Sequence, residues 1–220
     1  MAVLALDTAL QRCSAALVVD GEPAAFIVDD MERGHAEHLA PMVARIFEQA
    51  GLKPSDVTRV GVVVGPGGFT GVRIALSFAR AFGLATGAAV VGVTSLRALA
   101  ANVSTKDGLV APVIDARRGQ VYAALYDTGE ERLAPFVAAP DAAGQLLADA
   151  AGGRAVSLVG SGAALLSLAP GRRLTGADPQ IDPVILARIA AAVPAPDAPP
   201  APLYLRPPDA KPQRPARPRS

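Results

Sequence analysis

Residues 14–21 read SAALVVDG and residues 122–129 read YAALYDTG, an Ala-Ala-Leu core closed by glycine in both places, at an offset of 108. The same offset lays Asp7 on Asp115, each at the end of an apolar run. Further along, Val64-Gly65-Pro66-Gly67 resembles Val159-Gly160-Ser161-Gly162, each an apolar strand entering a Gly-x-Gly turn. Self-similarity of this kind marks a duplicated supersecondary unit. The two copies would occupy about residues 1–100 and about 108–195, the second degraded.

Within the first copy, residues 3–7 are apolar and end in an acid. Residues 14–19 are rich in Ala and Val and stop at the hairpin signal Asp20-Gly21, and 24–28 follow at once. Three antiparallel strands therefore fit residues 2–29. Leu39, Met42, Val43, Ile46 and Phe47 recur at helical spacing, which predicts a helix over about 35–50 capped by Gly51. Pro41 is expected in or near its first turns, where a missing N–H costs least. Residues 60–64 read as a strand buried on both faces. A glycine loop, a helix over about 70–86 and a strand over 89–93 complete the order β-β-β-α-β-α-β. Duplication of such a unit is the architecture of the actin, hexokinase and Hsp70 class, whose nucleotide lies between the halves. The predicted fold class is α/β, actin-like (ribonuclease H-like), with the second half reduced. The predicted organisation is an N-terminal subdomain over 1–105 carrying docking helices, a smaller degenerate one over 106–206, and a flexible Pro/Arg-rich tail over 207–220. The Pro-dense stretch from residue 194 reads as a linker to Leu203-Tyr204-Leu205-Arg206.

Hydrophobic residues make up 51% of the chain and charged residues 19%, a composition that builds a core and excludes a disordered chain. A net charge of +1 excludes a strong global field drawing nucleic acid or membrane. The excess is local: residues 207–220 hold four basic residues and one acid, or +3, which leaves −2 for residues 1–206. The single cysteine, Cys13, excludes an internal disulfide framework and fits a reducing compartment. The opening MAVLALDTA lacks the basic segment of a signal peptide. The acid-free region 74–101 is interrupted by Arg80, Arg97 and three glycines, unlike the roughly 20 apolar residues of a membrane span. A soluble, cytoplasmic protein without membrane association is expected.

The most distinctive motif is GPGGFTGVR at 65–73, between a strand and a helix. Three readings stay open for it: a tight turn permitting close packing, a partner contact, or an anion site at a helix N-terminus. It is not a Walker A loop, for no Lys-Ser/Thr follows at the required spacing. Nor is it a Rossmann fingerprint, since residues 71–106 contain no acid to hold a ribose. In the following helix Ala75, Ala79 and Gly83 form a small-residue stripe beside Phe78 and Phe82, a helix apolar enough to be buried on two sides. His35 and His38 are the only histidines, and two ligands without a third make no metal site; a solvated helix start is expected there. Asp7, Thr8 and Asp115 stand where the actin-like class holds phosphate and Mg²⁺, which makes them candidates for a nucleotide site. Cys13 and Ser14 have no base near them in sequence, so nucleophilic catalysis is not expected.

LALDTA at 4–9, His35 with LAPMV at 39–43, GPGGFTGVRIAL at 65–76, GVTSL at 92–96, IDARRGQVY at 114–122 and LYLR at 203–206 together resemble the TsaB (YeaZ) family. The resemblance covers about residues 1–206, and the usual family form has Ser where Gly68 stands. It implies a non-catalytic subunit, related to its own catalytic partner TsaD, in making threonylcarbamoyladenosine beside the tRNA anticodon. In TsaD the stretch matching GVTSLRAL carries a metal-binding His-x-x-x-His. The matching positions here are Ser95 and Leu99, so no catalytic residue and no metal site are implied. The resemblance further implies direct pairing with TsaD through the helices at about 35–50 and 70–86, with TsaE joining and tRNA engaged indirectly. On the first helix the implied contacts are His35, Leu39, Met42 and Ile46. On the second they are Phe69, Arg73, Ala75, Phe78, Ala79 and Phe82. No cofactor of the chain's own is implied, ATP or ADP entering only with the assembled complex, and a homodimer is plausible without TsaD. The alternative is an independent actin-like ATP-dependent phosphotransferase using Asp7, Thr8 and Asp115.

Overall fold

The computed structural model describes residues 1–31, 33–103, 108–166, 172–174 and 179–206. The boundary expected at 105/106 and the tail over 207–220 lie outside the described residues. The first copy runs β1 (Ala2–Asp7), β2 (Arg12–Val19), β3 (Glu22–Asp30), α1 (His35–Ala50), β4 (Val57–Val63), α2 (Phe69–Thr86), β5 (Ala89–Val93) and α3 (Ser95–Ala101). The second runs β6 (Leu109–Arg117), β7 (Gln120–Asp127), β8 (Glu130–Ala138), α4 (Pro140–Ala151), β9 (Val156–Val159), β10 (Arg172–Leu174) and α5 (Pro183–Ala192). Each copy forms one five-stranded sheet, ordered β3-β2-β1-β4-β5 and β8-β7-β6-β9-β10. The orders are the same, so the duplication is structural, and the fold is the actin-like α/β class expected. Where the first copy has the 18-residue α2, the second has a single 3-10 turn at Ala163–Leu165 among its described residues; this is its reduction.

Strand character follows position. β1 lies at the centre of its sheet, antiparallel to β2 and parallel to β4, and all six of its residues are buried, as a run apolar on both faces requires. β3, at the edge, alternates between exposed and half-buried residues. Helix α1 ends at Gly51, left-handed at φ 64°, as its sequence predicts. Pro41 is its seventh residue, in the second turn and so among the first turns, as expected.

Three apolar clusters stack through the molecule. One lies between the first sheet and α1 with α2; another lies between the second sheet and α4. The third fills the space between the two sheets and contains α3 and α5. These two helices are exchanged: α3 follows the first sheet in the chain but packs on β6 and β7, whereas α5 follows the second sheet but packs on β1, β2 and β4. Gly61 on β4 makes room for α5, since a Cβ there would stand 2.5 Å from Cβ of Ala190. Arg59 closes the C-terminus of α5, its guanidinium donating to the carbonyls of Ala190 (2.8 Å), Ala191 (3.2 Å) and Val193.

The segment after α5 is not a free linker. Its Leu203 N–H donates to Val64 O (2.7 Å), Arg80 holds Pro200 O (2.6 Å), and Pro200 packs on Gly92. The prolines suggested a spacer, but tertiary hydrogen bonds make it a strap back onto the first copy.

Candidate functional site

The glycine loop at 65–71 packs on the turn between β1 and β2. A Cβ on Gly71 would lie 1.9 Å from Thr8 O, and one on Gly67 2.4 Å from Ala9 O. Gly68 N–H donates to Ala9 O (2.8 Å), and Thr8 Oγ1 donates to Gly71 O (2.6 Å). Two of these glycines are there for close approach, and a loop N–H that could have met an anion is spent on Ala9. The second copy repeats the device: Gly160 takes φ 109° against Val113 O, as Gly65 takes φ 97°, and Gly162 N–H donates to Val113 O (2.9 Å).

That packing seals Asp7, which is 1% exposed. Its Oδ1 accepts from Ala9 N–H (2.8 Å), while Oδ2 has no partner among the described residues. Burial pushes the carboxyl up to about 7, the Ala9 bond opposing only in part. Thr8 is buried with it. Asp115, by contrast, is half-buried and opens into the cleft between the two copies, its carboxylate accepting from Arg117 N–H (2.8 Å) and pairing with the Arg117 guanidinium (3.3 Å). The three nucleotide-site candidates therefore do not share one surface: Asp7 and Thr8 are under the glycine loop, and Asp115 is already held by an arginine.

The cleft encloses about 980 Å³. Among the described residues, Arg73, Arg117, Arg118 and Arg206 line it, with Asp115 as the one carboxylate. Tyr122, Phe69 and Tyr204 supply aromatic wall; Phe69 and Tyr204 stack at 5.1 Å, with the Arg73 guanidinium 3.6 Å over the Phe69 ring. Arg206 donates to Gln120 Oε1 (2.5 Å). Sequence reasoning assigned the cleft arginines at 117, 118 and 206 no role. The available signal was ARRG at a hairpin end, two arginines where turn chemistry favours Asn or Gly.

A second concavity, about 520 Å³, lies between α1 and α2. Leu39 forms part of its floor; Phe69, Arg73 and Phe78 of the expected contacts line it, together with Ala36, Ala40, Thr70, Ile74 and Ser77. Phe82 continues the aromatic row, stacked on Phe47 (6.0 Å) and Phe78 (6.4 Å). Beyond it Leu84 stands 90% exposed. The other expected contacts point inward. Met42 and Ile46 are buried in the cluster beneath the helices, as are Ala75 and Ala79. The small-residue stripe brings α2 onto its own sheet: a Cβ on Gly83 would meet Val90 Cγ2 at 2.6 Å. His35 is buried, with Nε2 unpartnered among the described residues and its pKa lowered by burial; only His38 is a solvated helix-start histidine. Cys13 is buried against Met42 Sδ (4.0 Å), and burial together with Asp29 and Asp7 pushes its thiol up to about 12.

Ser95 and Leu99 are fully buried on α3, in the cluster between the sheets for Leu99. Among the described residues no group of three His, Cys, Asp or Glu could hold a metal ion, and no helix is long and apolar enough to cross a membrane.

Comparison with known proteins places this geometry. The family model for TsaD, tRNA N6-adenosine threonylcarbamoyltransferase, matches residues 29–194. The tRNA threonylcarbamoyladenosine biosynthesis protein TsaB of Bacillus subtilis is 35% identical over 126 residues, 57% of this chain and 55% of that protein. The match thus spans just over half the length of that relative. The solved structure of YeaZ from Pseudomonas aeruginosa superimposes with a TM-score of 0.74 at 30% identity, over 93% of this chain and 99% of that one. The ethanolamine utilization protein EutJ of Carboxydothermus hydrogenoformans shares the fold alone, at a TM-score of 0.52 and 13% identity over 84% of this chain and 88% of that one.

Proposed function

Since the chain belongs to the TsaB (YeaZ) family of tRNA threonylcarbamoyladenosine biosynthesis proteins, we propose that it serves there as a non-catalytic, cytoplasmic subunit that docks directly on TsaD. The observation that carries this reading is the groove between α1 and α2. It is apolar, lies on helices whose inner faces are already fixed by their own sheet, and is flanked by the half-exposed Phe69 and by Leu84. A rigid apolar groove rimmed by polar Arg73, Ser77 and Thr70 matches the anatomy of a protein interface.

The contacts are then the outward residues of these helices, not the buried stripe. TsaE joins the pair, tRNA is engaged through TsaD, and ATP or ADP enters only with the assembled complex. Two subdomains, 1–105 and 106–206, act as one body. In the absence of TsaD the same face self-associates, which sizing at two concentrations would read. The non-catalytic part is supported by Ser95 and Leu99: a buried hydroxyl and a buried isobutyl group stand where TsaD is expected to carry its metal-binding histidines.

The test joins a binding and an omission experiment. Ala40→Arg with Ser77→Arg alters two exposed groove positions. The double variant should melt like the wild type yet fail to co-elute with TsaD. In a mixture of synthase, TsaD, TsaE, ATP, threonine, bicarbonate and tRNA, modification should need the wild-type chain, and the chain alone should modify nothing. Wild-type co-elution of the variant would remove the groove as interface; modification proceeding equally without the chain would remove the role.

A further inference from the structure

The groove between α1 and α2 and the cleft between the two copies share a wall. Phe69 and Arg73 line both concavities, and Tyr204 of the strap stands against them from the cleft side. Phe69 is the first residue of α2, is 47% exposed and belongs to none of the three apolar clusters. Among the described residues its ring meets Tyr204, stacked at 5.1 Å, and the Arg73 guanidinium at 3.6 Å. An exposed side chain exchanges rotamers within nanoseconds unless something holds it, and here these two groups do.

Arg73 is held by the same pair. Its Nε–H donates to Tyr204 Oη (2.8 Å) and its plane lies over Phe69, while its terminal Nη groups make no hydrogen bond among the described residues. A guanidinium fixed in this way presents its fork to a carboxylate without first surrendering the freedom of a long side chain.

Tyr204 is itself anchored on both sides. Before it, Leu203 N–H donates to Val64 O (2.7 Å) and Arg80 holds Pro200 O (2.6 Å). After it, Arg206 donates to Gln120 Oε1 (2.5 Å) on the second copy. Gly65 leaves room for this path, since a Cβ there would stand 3.0 Å from Leu203 O. The strap therefore carries a half-exposed tyrosine on fixed backbone, and spends its hydroxyl and its ring on the rim of the docking groove rather than on the core.

We propose that Tyr204 is a positioning residue for docking on TsaD: it holds Phe69 and Arg73 at the groove rim, the ring as an apolar ridge and the guanidinium aimed at a carboxylate of the partner. The inference rests on the docking reading above and adds to it a residue outside both helices. Aromatic and arginine anchors carry a large share of interface energy, and a rim set beforehand avoids the ordering cost of association.

Affinity for TsaD, read by surface plasmon resonance, is compared among the wild type, Tyr204→Phe, Tyr204→Ala, Arg73→Met and the Tyr204→Phe/Arg73→Met double variant. Tyr204→Phe keeps the stack and removes the bond, and should weaken pairing about threefold to tenfold. Tyr204→Ala removes both and should weaken it about tenfold or more. In the Arg73→Met background Tyr204→Phe should cost nothing further, an outcome that a tyrosine serving stability alone does not produce. In the isolated chain the Arg73 Nε–H resonance should exchange faster with water in Tyr204→Phe, at an unchanged melting temperature. Wild-type affinity in both Tyr204 variants, with pairing still lost in Ala40→Arg/Ser77→Arg, would overturn the positioning role and leave the groove standing. An unaltered Arg73 Nε–H, or an equal cost of Tyr204→Phe with and without Arg73, would also overturn it. Weakened pairing in the Tyr204 variants beside wild-type pairing of the groove variant would support the rim and overturn the groove. Wild-type affinity throughout would overturn both.

Discussion

Two glycines beside the β1–β2 turn call for opposite responses to substitution, and Gly71 is the more demanding. A Cβ there falls 1.9 Å from Thr8 O and 3.0 Å from Thr8 C, both backbone atoms that cannot rotate aside. Real Cβ contacts essentially never fall below 3.0 Å, so Gly71→Ala must part the helix from the turn by about 1.1 Å. Alanine gains up to about 1 kcal/mol of helix propensity. Against this stand overpacking at roughly 1–3 kcal/mol and the Thr8–Gly71 and Gly68–Ala9 hydrogen bonds at about 1 kcal/mol each. The net loss is about 2–4 kcal/mol, which in a chain of this size lowers the melting temperature by roughly 4–16 °C. Gly68 is the contrast. It is the N-cap of α2 at φ −63°, its Cβ would meet only Ala9 O at 3.6 Å, and the usual family form carries Ser there. Gly68→Ser should therefore be neutral or stabilising by a few tenths of a kcal/mol, roughly. Differential scanning calorimetry of both variants decides it. A Gly71→Ala protein melting within about 1 °C of wild type, or a Gly68→Ser protein falling as far as Gly71→Ala, would refute the close-approach reasoning.

Other consequences of the packing are equally direct. Asp7 has an ordinary value of 3.8 and is pushed up to about 7 by burial, so the folded chain keeps a proton that the unfolded chain releases. Its contribution is intact below about pH 4 and is lost as pH rises toward 7, at most roughly 4 kcal/mol. Asp7→Asn should flatten that fall in urea-denaturation midpoints measured from pH 4 to 8; an unchanged pH slope would count against it. Arg59→Met removes the donors that close α5 and should cost about 2–3 kcal/mol in urea unfolding at constant pH. Ala79→Trp overpacks a fully buried contact between α2 and its sheet, so it should lower the melting temperature of the isolated chain rather than affect pairing alone. The Cys13 thiol, pushed up to about 12 and buried, should resist a thiol-disulfide reagent at pH 8 until the chain is unfolded.

Much of the first copy was legible because its signals are local. Short apolar runs, the Asp20-Gly21 turn and the apolar spacing of α1 predict elements within three residues of those observed. The direction in which α2 faces was not legible. A helix apolar over most of its circumference has no periodicity to tell sheet from partner, and small residues permit close approach to either. The cover over Asp7 was hidden for another reason: it is supplied by a loop about 60 residues away, and only the fold brings them together. Proline density pointed to a linker after residue 194, whereas the Leu203–Val64 hydrogen bond joins backbone groups that carry no sequence signature. Five of the ten contacts expected from the family resemblance, Leu39, Met42, Ile46, Ala75 and Ala79, are side chains that the chain's own core uses.

The exchange of α3 and α5 has a bearing on how such a chain changes over time. Among its described residues the second copy has only a 3-10 turn where the first has α2, and a module so reduced could be imagined as dispensable. Its last helix, however, lies on β1, β2 and β4 and is part of the inner cluster of the first copy. Deleting the second copy would strip that sheet of one face, and deleting α3 would do the same to the other. Neither duplicate can be discarded without unmaking its twin, because each sheet takes one covering helix from the other copy.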